Sequence, residues 1–297
     1  MAGASHAGGR HMNDGRERDT RVMSRRFAQV DVFSEEPLLG NPVAVVIDGE
    51  GLTGEQMQRF AAWTNLSETT FLLPPSSEEA DYAVRIFTTA EELPFAGHPT
   101  LGSCHAWLEA GGRGRGDEIV QECGAGLVRI RPHDGRLAFS APPLLRFGAP
   151  DPADLERAIA ELRLEPGAVV AASWADNGPG WLALLLRDAT TVLSVAPGTI
   201  SHGLGVAGLH PPSSAADLEV RAFFPDGALT IEDPVTGSLN AGLAQWLLAE
   251  ESIRAPYVAA QGTALGRRGR VHVSRDDDGT IWIAGATTTR VSGSALL

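Results

Sequence analysis

From Phe27 onward, short apolar runs alternate with turn residues. Phe27–Phe33, Val43–Ile47, Thr69–Leu73, Ala83–Phe87, Val128–Arg131 and Leu137–Phe139 are bounded by Gly40-Asn41-Pro42, Asp48-Gly49 or Asp134-Gly135. That pattern predicts strands joined by hairpins and loops. Two segments switch to helical spacing. Thr53–Thr64 has Thr53 as its cap and Glu55 in its first turn. In Pro99–Glu109, proline suits the first helical position, which places His98 at the cap. A second α+β set follows a proline-rich stretch. It comprises a helix over Pro152–Leu162, strands near Val169–Ala172, Trp181–Arg187 and Leu218–Phe224, and a helix over Ser238–Glu250. Strands near Val271–Ser274 and Ile281–Ala286 close it, joined by an Asp276-Asp277-Asp278-Gly279 turn. The resulting division is a disordered extension over 1–26, a domain over 27–141, a linker over 142–152 and a second domain over 153–297.

The two sets echo each other. Arg85-Ile86-Phe87 leads to Gly97, which opens a helix with a second glycine at 102; Arg221-Ala222-Phe223 leads to Gly237, with a second glycine at 242. The second version carries four extra residues between its arginine and its first glycine. Two such helix starts would offer backbone N–H groups and positive dipole ends to one anion between the domains. Small residues for helix packing explain the spacing equally well.

Composition narrows the chemistry. The chain has 297 residues and a formal charge of −13, and all 24 basic residues are arginine. Without lysine there is no pyridoxal-phosphate Schiff base, no imine aldolase and no Walker-type phosphate loop. The acidic balance argues against a nucleic-acid or anionic-membrane binder. No run is long enough to span a membrane and the N-terminal region lacks the apolar centre of a signal peptide, so the reading is cytoplasmic. With only Cys104 and Cys123, a disulfide scaffold or multi-cysteine zinc site is excluded.

Three apparent motifs fall away. Gly203–Gly208 fits GxGxxG but is followed by Leu209-His210-Pro211-Pro212 rather than a helix. The Asp276–Asp278 run lacks the glutamate of a calcium loop. His98, Cys104 and His105 find no fourth ligand, so no metal is expected. Three segments remain. Glu68, at the mouth of an apolar strand, gains a raised pKa and general-base character if it is buried, and is a solvated carboxylate if it is not. His98 follows Gly97 where a ligand could be protonated, or is simply a turn histidine. Glu232-Asp233-Pro234-Val235-Thr236-Gly237-Ser238 repeats the arrangement, although Asp, Thr and Ser are also ordinary capping residues.

Together these segments resemble the phenazine-biosynthesis PhzF-like isomerase family. The likeness runs through Val30-Asp31-Val32-Phe33, Gly40-Asn41-Pro42-Val43-Ala44-Val45, Ser67-Glu68-Thr69-Thr70-Phe71 and Phe95-Ala96-Gly97-His98-Pro99-Thr100. It continues through Arg221-Ala222-Phe223, the Glu232–Ser238 segment, Gln261-Gly262 and Gly266-Arg267. The resemblance implies an α+β fold of two pseudo-symmetric domains like diaminopimelate epimerase, each a curved mixed β-sheet around a central α-helix. It implies Glu68 as catalytic acid/base, assisted by His98, Asp233 and Ser238. Substrate binding falls to Gly97, Gly237, Thr236 and Asn41. No metal or cofactor is implied, and the partners are a small carboxylate-bearing substrate and a second copy in a homodimer.

The implied reaction moves a proton within a small unsaturated amino acid, in secondary metabolism such as phenazine biosynthesis. The family's type substrate is trans-2,3-dihydro-3-hydroxyanthranilate. An amino-acid racemase or epimerase and a non-catalytic binding homologue are the alternatives. Epimerases of this fold carry a cysteine just before each glycine, whereas this chain has Ala96 and Thr236, which disfavours two-thiol chemistry. The family usually has Ala-His after Gly-Ser; here Leu239-Asn240 stand there, which puts the substrate in question.

Overall fold

A computed structural model describes residues 23–297, and in it the apolar runs pair into one continuous mixed sheet that carries two buried helices. The first half contains β1 (Ser24–Val32), β2 (Asn41–Val46), α1 (Gly54–Thr64), β3 (Glu68–Leu73), β4 (Tyr82–Phe87) and β5 (Glu92–Leu93). It continues with α2 (Gly97–Glu109), β6 (Ile119–Cys123), β7 (Gly126–His133) and β8 (Arg136–Ser140). Then come β9 (Arg146–Gly148), α3 (Pro152–Glu161), β10 (Val169–Asp176), β11 (Leu182–Leu186), α4 (Ala189–Ser194), β12 (Leu204–Leu209), β13 (Leu218–Asp226) and β14 (Leu229–Asp233). The chain closes with α5 (Gly237–Ala249), β15 (Tyr257–Gln261), β16 (Gly269–Arg275), β17 (Ile281–Gly285) and β18 (Thr287–Leu296).

The duplication suggested by the glycine spacing is a duplication of topology. β1–β2 and β10–β11 are antiparallel, and β2–β3 and β11–β12 are parallel. β3–β4 and β12–β13 are antiparallel, and β4–β6 and β13–β15 are parallel. β8 meets β17 and joins the halves. Each half then gives its last strand to the other, since β9 pairs with β10 and β18 with β1. Three sequence-based boundaries move as a result. The proline-rich stretch holds a strand, because Arg146–Gly148 hydrogen-bonds to the second half. The tail of the second set lies in the sheet of the first. Ser24–Arg26 belong to β1, with the Arg26 amide and guanidinium on Asp48, whereas residues 1–22 of the expected extension lie outside the described residues.

Matching arginines confirm the register. Arg85 makes a two-pronged pair with Glu92, and Arg221 with Glu232. The four extra residues fall in the β13–β14 hairpin, where Ala222 faces Asp233 while Ile86 faces Leu93 in β4–β5. The central helices are buried nearly all round: nine of thirteen residues of α2 and eleven of thirteen of α5 are buried, as expected of helices enclosed by sheet. Their second glycines allow that enclosure. A Cβ at Gly102 would lie 2.3 Å from Val43 Cγ1, and one at Gly242 would lie 2.3 Å from the Ala175 carbonyl oxygen.

Candidate active site

The helices α2 and α5 begin against each other. A Cβ at Gly97 would sit 2.6 Å from Gly237 Cα, and one at Gly237 would sit 2.8 Å from Gly97 Cα and 3.1 Å from the His98 backbone nitrogen. Only glycine permits that approach. The caps differ from the sequence expectation. Ala96, not His98, is the N-cap of α2, because the helix starts at Gly97, two residues before the proline that set the expected start. Thr236 caps α5, and neither cap residue's side chain satisfies the helix N–H groups. Two uncapped helix starts therefore meet, with unused donors and their positive dipole ends together.

Glu68, His98, Asn41, Asp233, Thr236 and Ser238 gather around this meeting point. Glu68 opens β3, and its Oε2 lies 3.3 Å from His98 Nε2; the side chains keep 15% and 4% of their surface. Neither atom has a hydrogen-bond partner, and the buried Asn41 Oδ1 has none either. Buried polar atoms left unpaired carry a desolvation cost that a ligand can relieve. Asn41, at the start of β2, donates through Nδ2 to Asp233 Oδ1 and to the Val235 carbonyl, both at 2.9 Å, and lies 3.3 Å from His98 Nδ1. It ties the two halves together beneath the site. Ser238 accepts at Oγ from the Trp181 indole N–H at 3.1 Å, which leaves its own hydrogen to donate.

Burial shapes the charges. Glu68 is raised well above the usual carboxylate range, first by burial and then by the neighbouring Asp233 charge. Burial also raises Asp233, to about 6, against the donors from Thr236 and Asn41. His98 is pushed down to about 3 by burial, which a contact to the Pro42 backbone offsets only in part. The imidazole is therefore neutral, and Glu68 is suited both to hold and to yield a proton.

The halves contribute unequally. By strand register, the counterpart of Glu68 is Gly203 and that of Asp233 is Leu93. Counting from the paired glycines, Ser238 matches His98 and Thr236 matches Ala96. Gly203 leaves room for the Trp181 ring, 3.2 Å from where a Cβ would stand. Cys104 is buried within α2 and Cys123 lies at the end of β6, so neither takes the position before a helix glycine. Asn240, in the first turn of α5, spends its Nδ2 on the Thr236 carbonyl and Gln261 Oε1. Gln261, Trp181 and Asn177 support the site and were not singled out as site residues from sequence. Gln261 lies in a segment of the resemblance that carried no role, and Trp181 and Asn177, in the connection between β10 and β11, give no local signal. Among the described residues no cluster of three or more His, Cys, Asp or Glu could hold a metal, and no helix is long and apolar enough to cross a membrane.

The sequence matches a family model described as phenazine biosynthesis-like protein (PhzC-PhzF) over residues 30–296. It is 34% identical to antisense-enhancing sequence 1 of Schizosaccharomyces pombe, across 91% of this chain and 98% of that protein. It is 32% identical to the trans-2,3-dihydro-3-hydroxyanthranilate isomerase of Pseudomonas aeruginosa, across 86% of this chain and 91% of that enzyme. The backbone overlays the crystal structure of a phenazine biosynthesis protein of the PhzF family from Enterococcus faecalis with a TM-score of 0.74 and 25% identity, covering 93% of this chain and all of that one.

Proposed function

The chain belongs to the phenazine biosynthesis-like (PhzC-PhzF) family of isomerases, and from that premise we propose that it shifts a proton within a small, unsaturated, carboxylate-bearing cyclic amino acid. Glu68 takes a proton from an allylic carbon and returns it to another carbon of the same conjugated system, so no atoms are gained or lost. The N–H groups at Gly97 and Gly237 hold the substrate carboxylate. His98, Asp233 and Ser238 position its amino or hydroxyl group and stabilise the delocalised intermediate. The observation that carries the reading is the buried, unpartnered pair Glu68 Oε2 and His98 Nε2 beside two uncapped helix starts. Glu68 has glycine and Asp233 has leucine at the matching position of the other half, which favours a one-base proton shuttle over a mirror-related two-base racemase.

The test is turnover of trans-2,3-dihydro-3-hydroxyanthranilate, followed by ultraviolet absorbance, in the native protein and in Glu68→Gln. The variant should melt like the native protein and lose at least ~10²-fold in rate, the usual share of a positioned acid–base. Near-native turnover by the variant would remove Glu68 from the mechanism. In deuterated water a one-base shuttle retains part of the original hydrogen, whereas deuterium entering a stereocentre without an absorbance change would mean epimerisation.

A further inference from the structure

Behind Asp233 lies a chain of hydrogen bonds whose directions can be read. Gln261, fully buried at the end of β15, uses all of its side-chain amide. Its Oε1 accepts from the Thr236 backbone N–H at 3.0 Å and from Asn240 Nδ2 at 2.9 Å. Its Nε2 donates to the Thr236 hydroxyl at 2.9 Å and to the Asp233 carbonyl at 3.2 Å. A backbone N–H only donates and a carbonyl only accepts, so these contacts fix which end of the amide is oxygen.

With Nε2 donating to it, the Thr236 hydroxyl turns its own hydrogen to Asp233 Oδ2. On the other side, the Val235 carbonyl fixes Asn41 in the same way, and Asn41 Nδ2 donates to Asp233 Oδ1. Both carboxylate oxygens thus accept from donors whose polarity is anchored in the backbone, and these bonds favour the charged form over the protonated one.

We infer that Gln261 is a positioning residue which, through Thr236, holds Asp233 as a carboxylate, so that the site's fixed negative charge stays there while Glu68 carries the mobile proton. The inference rests on the proposed role of Glu68. A buried carboxylate kept charged by directed donors is a partner for a cationic nitrogen on the substrate. The charged groups facing Asp233 are Glu68 at the start of β3 and Glu232 beside it on β14, the latter held by Arg221, while His98 in the first turn of α2 meets the same Asn41 amide that donates to Asp233. None of them supplies a proton donor to its oxygens, so Thr236 and Asn41 do that alone.

The experiment reads Asp233 directly, without substrate. Full-length protein carrying ¹³C-γ-aspartate is titrated by NMR in a Glu68→Gln background, so that Asp233 titrates uncoupled from Glu68. The Asp233 signal is the one lost on Asp233→Asn. Thr236→Val and Gln261→Met should each raise its midpoint by about one pH unit, the loss of roughly one charge-assisted hydrogen bond. Combined, they should raise it no further than either alone, because Gln261 acts through Thr236. An unmoved midpoint in Gln261→Met, or two shifts that add, overturns the inference.

A second measurement stands if Gln261→Met does not fold. The Gln261 side-chain amide protons should titrate with the Asp233 midpoint, and should cease to do so in Thr236→Val. Amide protons that ignore Asp233 also overturn the inference. Failure to isomerise trans-2,3-dihydro-3-hydroxyanthranilate would sink the reaction proposed above and leave this titration standing.

Discussion

A single methyl group at Gly97 tests the meeting of the two helix starts. In Gly97→Ala the new Cβ would lie 2.6 Å from Gly237 Cα, 2.8 Å from its carbonyl carbon and 3.0 Å from Phe139 Cζ. Carbon atoms pack at roughly 3.5–4.0 Å, so the helix starts must part by about 1 Å. The two nearest atoms are backbone, and no side-chain rotation relieves them. Overpacking of this kind costs about 1–3 kcal/mol. At about 2–4 °C per kcal/mol, the melting temperature falls by roughly 2–12 °C. Activity should fall further than stability, because a misplacement of about 1 Å in the donors proposed to hold the substrate costs ~10²-fold. The assay pairs thermal unfolding with kcat/KM on trans-2,3-dihydro-3-hydroxyanthranilate. Gly116→Ala serves as the control, at a glycine with open space around it and no left-handed φ. If Gly97→Ala matches the native protein in both Tm and turnover, the close approach is not what holds the site together.

Three further outcomes follow from the same geometry. Burial keeps His98 neutral at pH values where the unfolded chain's imidazole, ordinarily 6.5, takes a proton, so its contribution to stability declines as pH falls from there toward about 3. At ~1.4 kcal/mol per pH unit the loss is about 2 kcal/mol by pH 5. Asp233 and Glu68, whose carboxyls are raised, gain stability over the same descent. The comparison is therefore native against His98→Asn in urea at pH 8 and pH 5, and an unchanged difference refutes it. The matched ion pairs should differ in weight. Arg221 and Glu232 keep 7% and 11% of their side-chain surface, against 34% and 41% for Arg85 and Glu92. Glu232→Ala should cost about 3–5 kcal/mol by stranding a buried guanidinium, and Glu92→Ala about 0–1 kcal/mol. Equal losses in denaturant melts would contradict this. Finally, Cys104→Ala with Cys123→Ala should leave turnover within about twofold; abolished activity would restore a thiol mechanism.

Most of the strands, the two central helices and the ordered motifs are legible in the sequence, because period-two and helical spacing are local properties. So are the candidate residues Glu68, His98 and Asp233, through the resemblance they carry. Strands β5, β6, β9, β12, β14, β15 and β18 escape, β12 masked by glycines that resemble a nucleotide loop and β18 by polar residues on an edge. The exchange of β9 and β18 is invisible locally, since which sheet accepts a strand depends on unpaired edges elsewhere.

The sequence by itself determined the repeated glycine-headed helices, the absence of lysine and the lack of cysteine before either glycine. Tertiary structure decided what those features mean. It set Gly97 within contact distance of Gly237 and brought Glu68 to His98. It buried both and surrounded Asp233 with directed donors from Asn41 and, through Thr236, Gln261. The physical reason is that pKa and hydrogen-bond direction depend on burial and on neighbours distant in the chain, which no local spacing encodes.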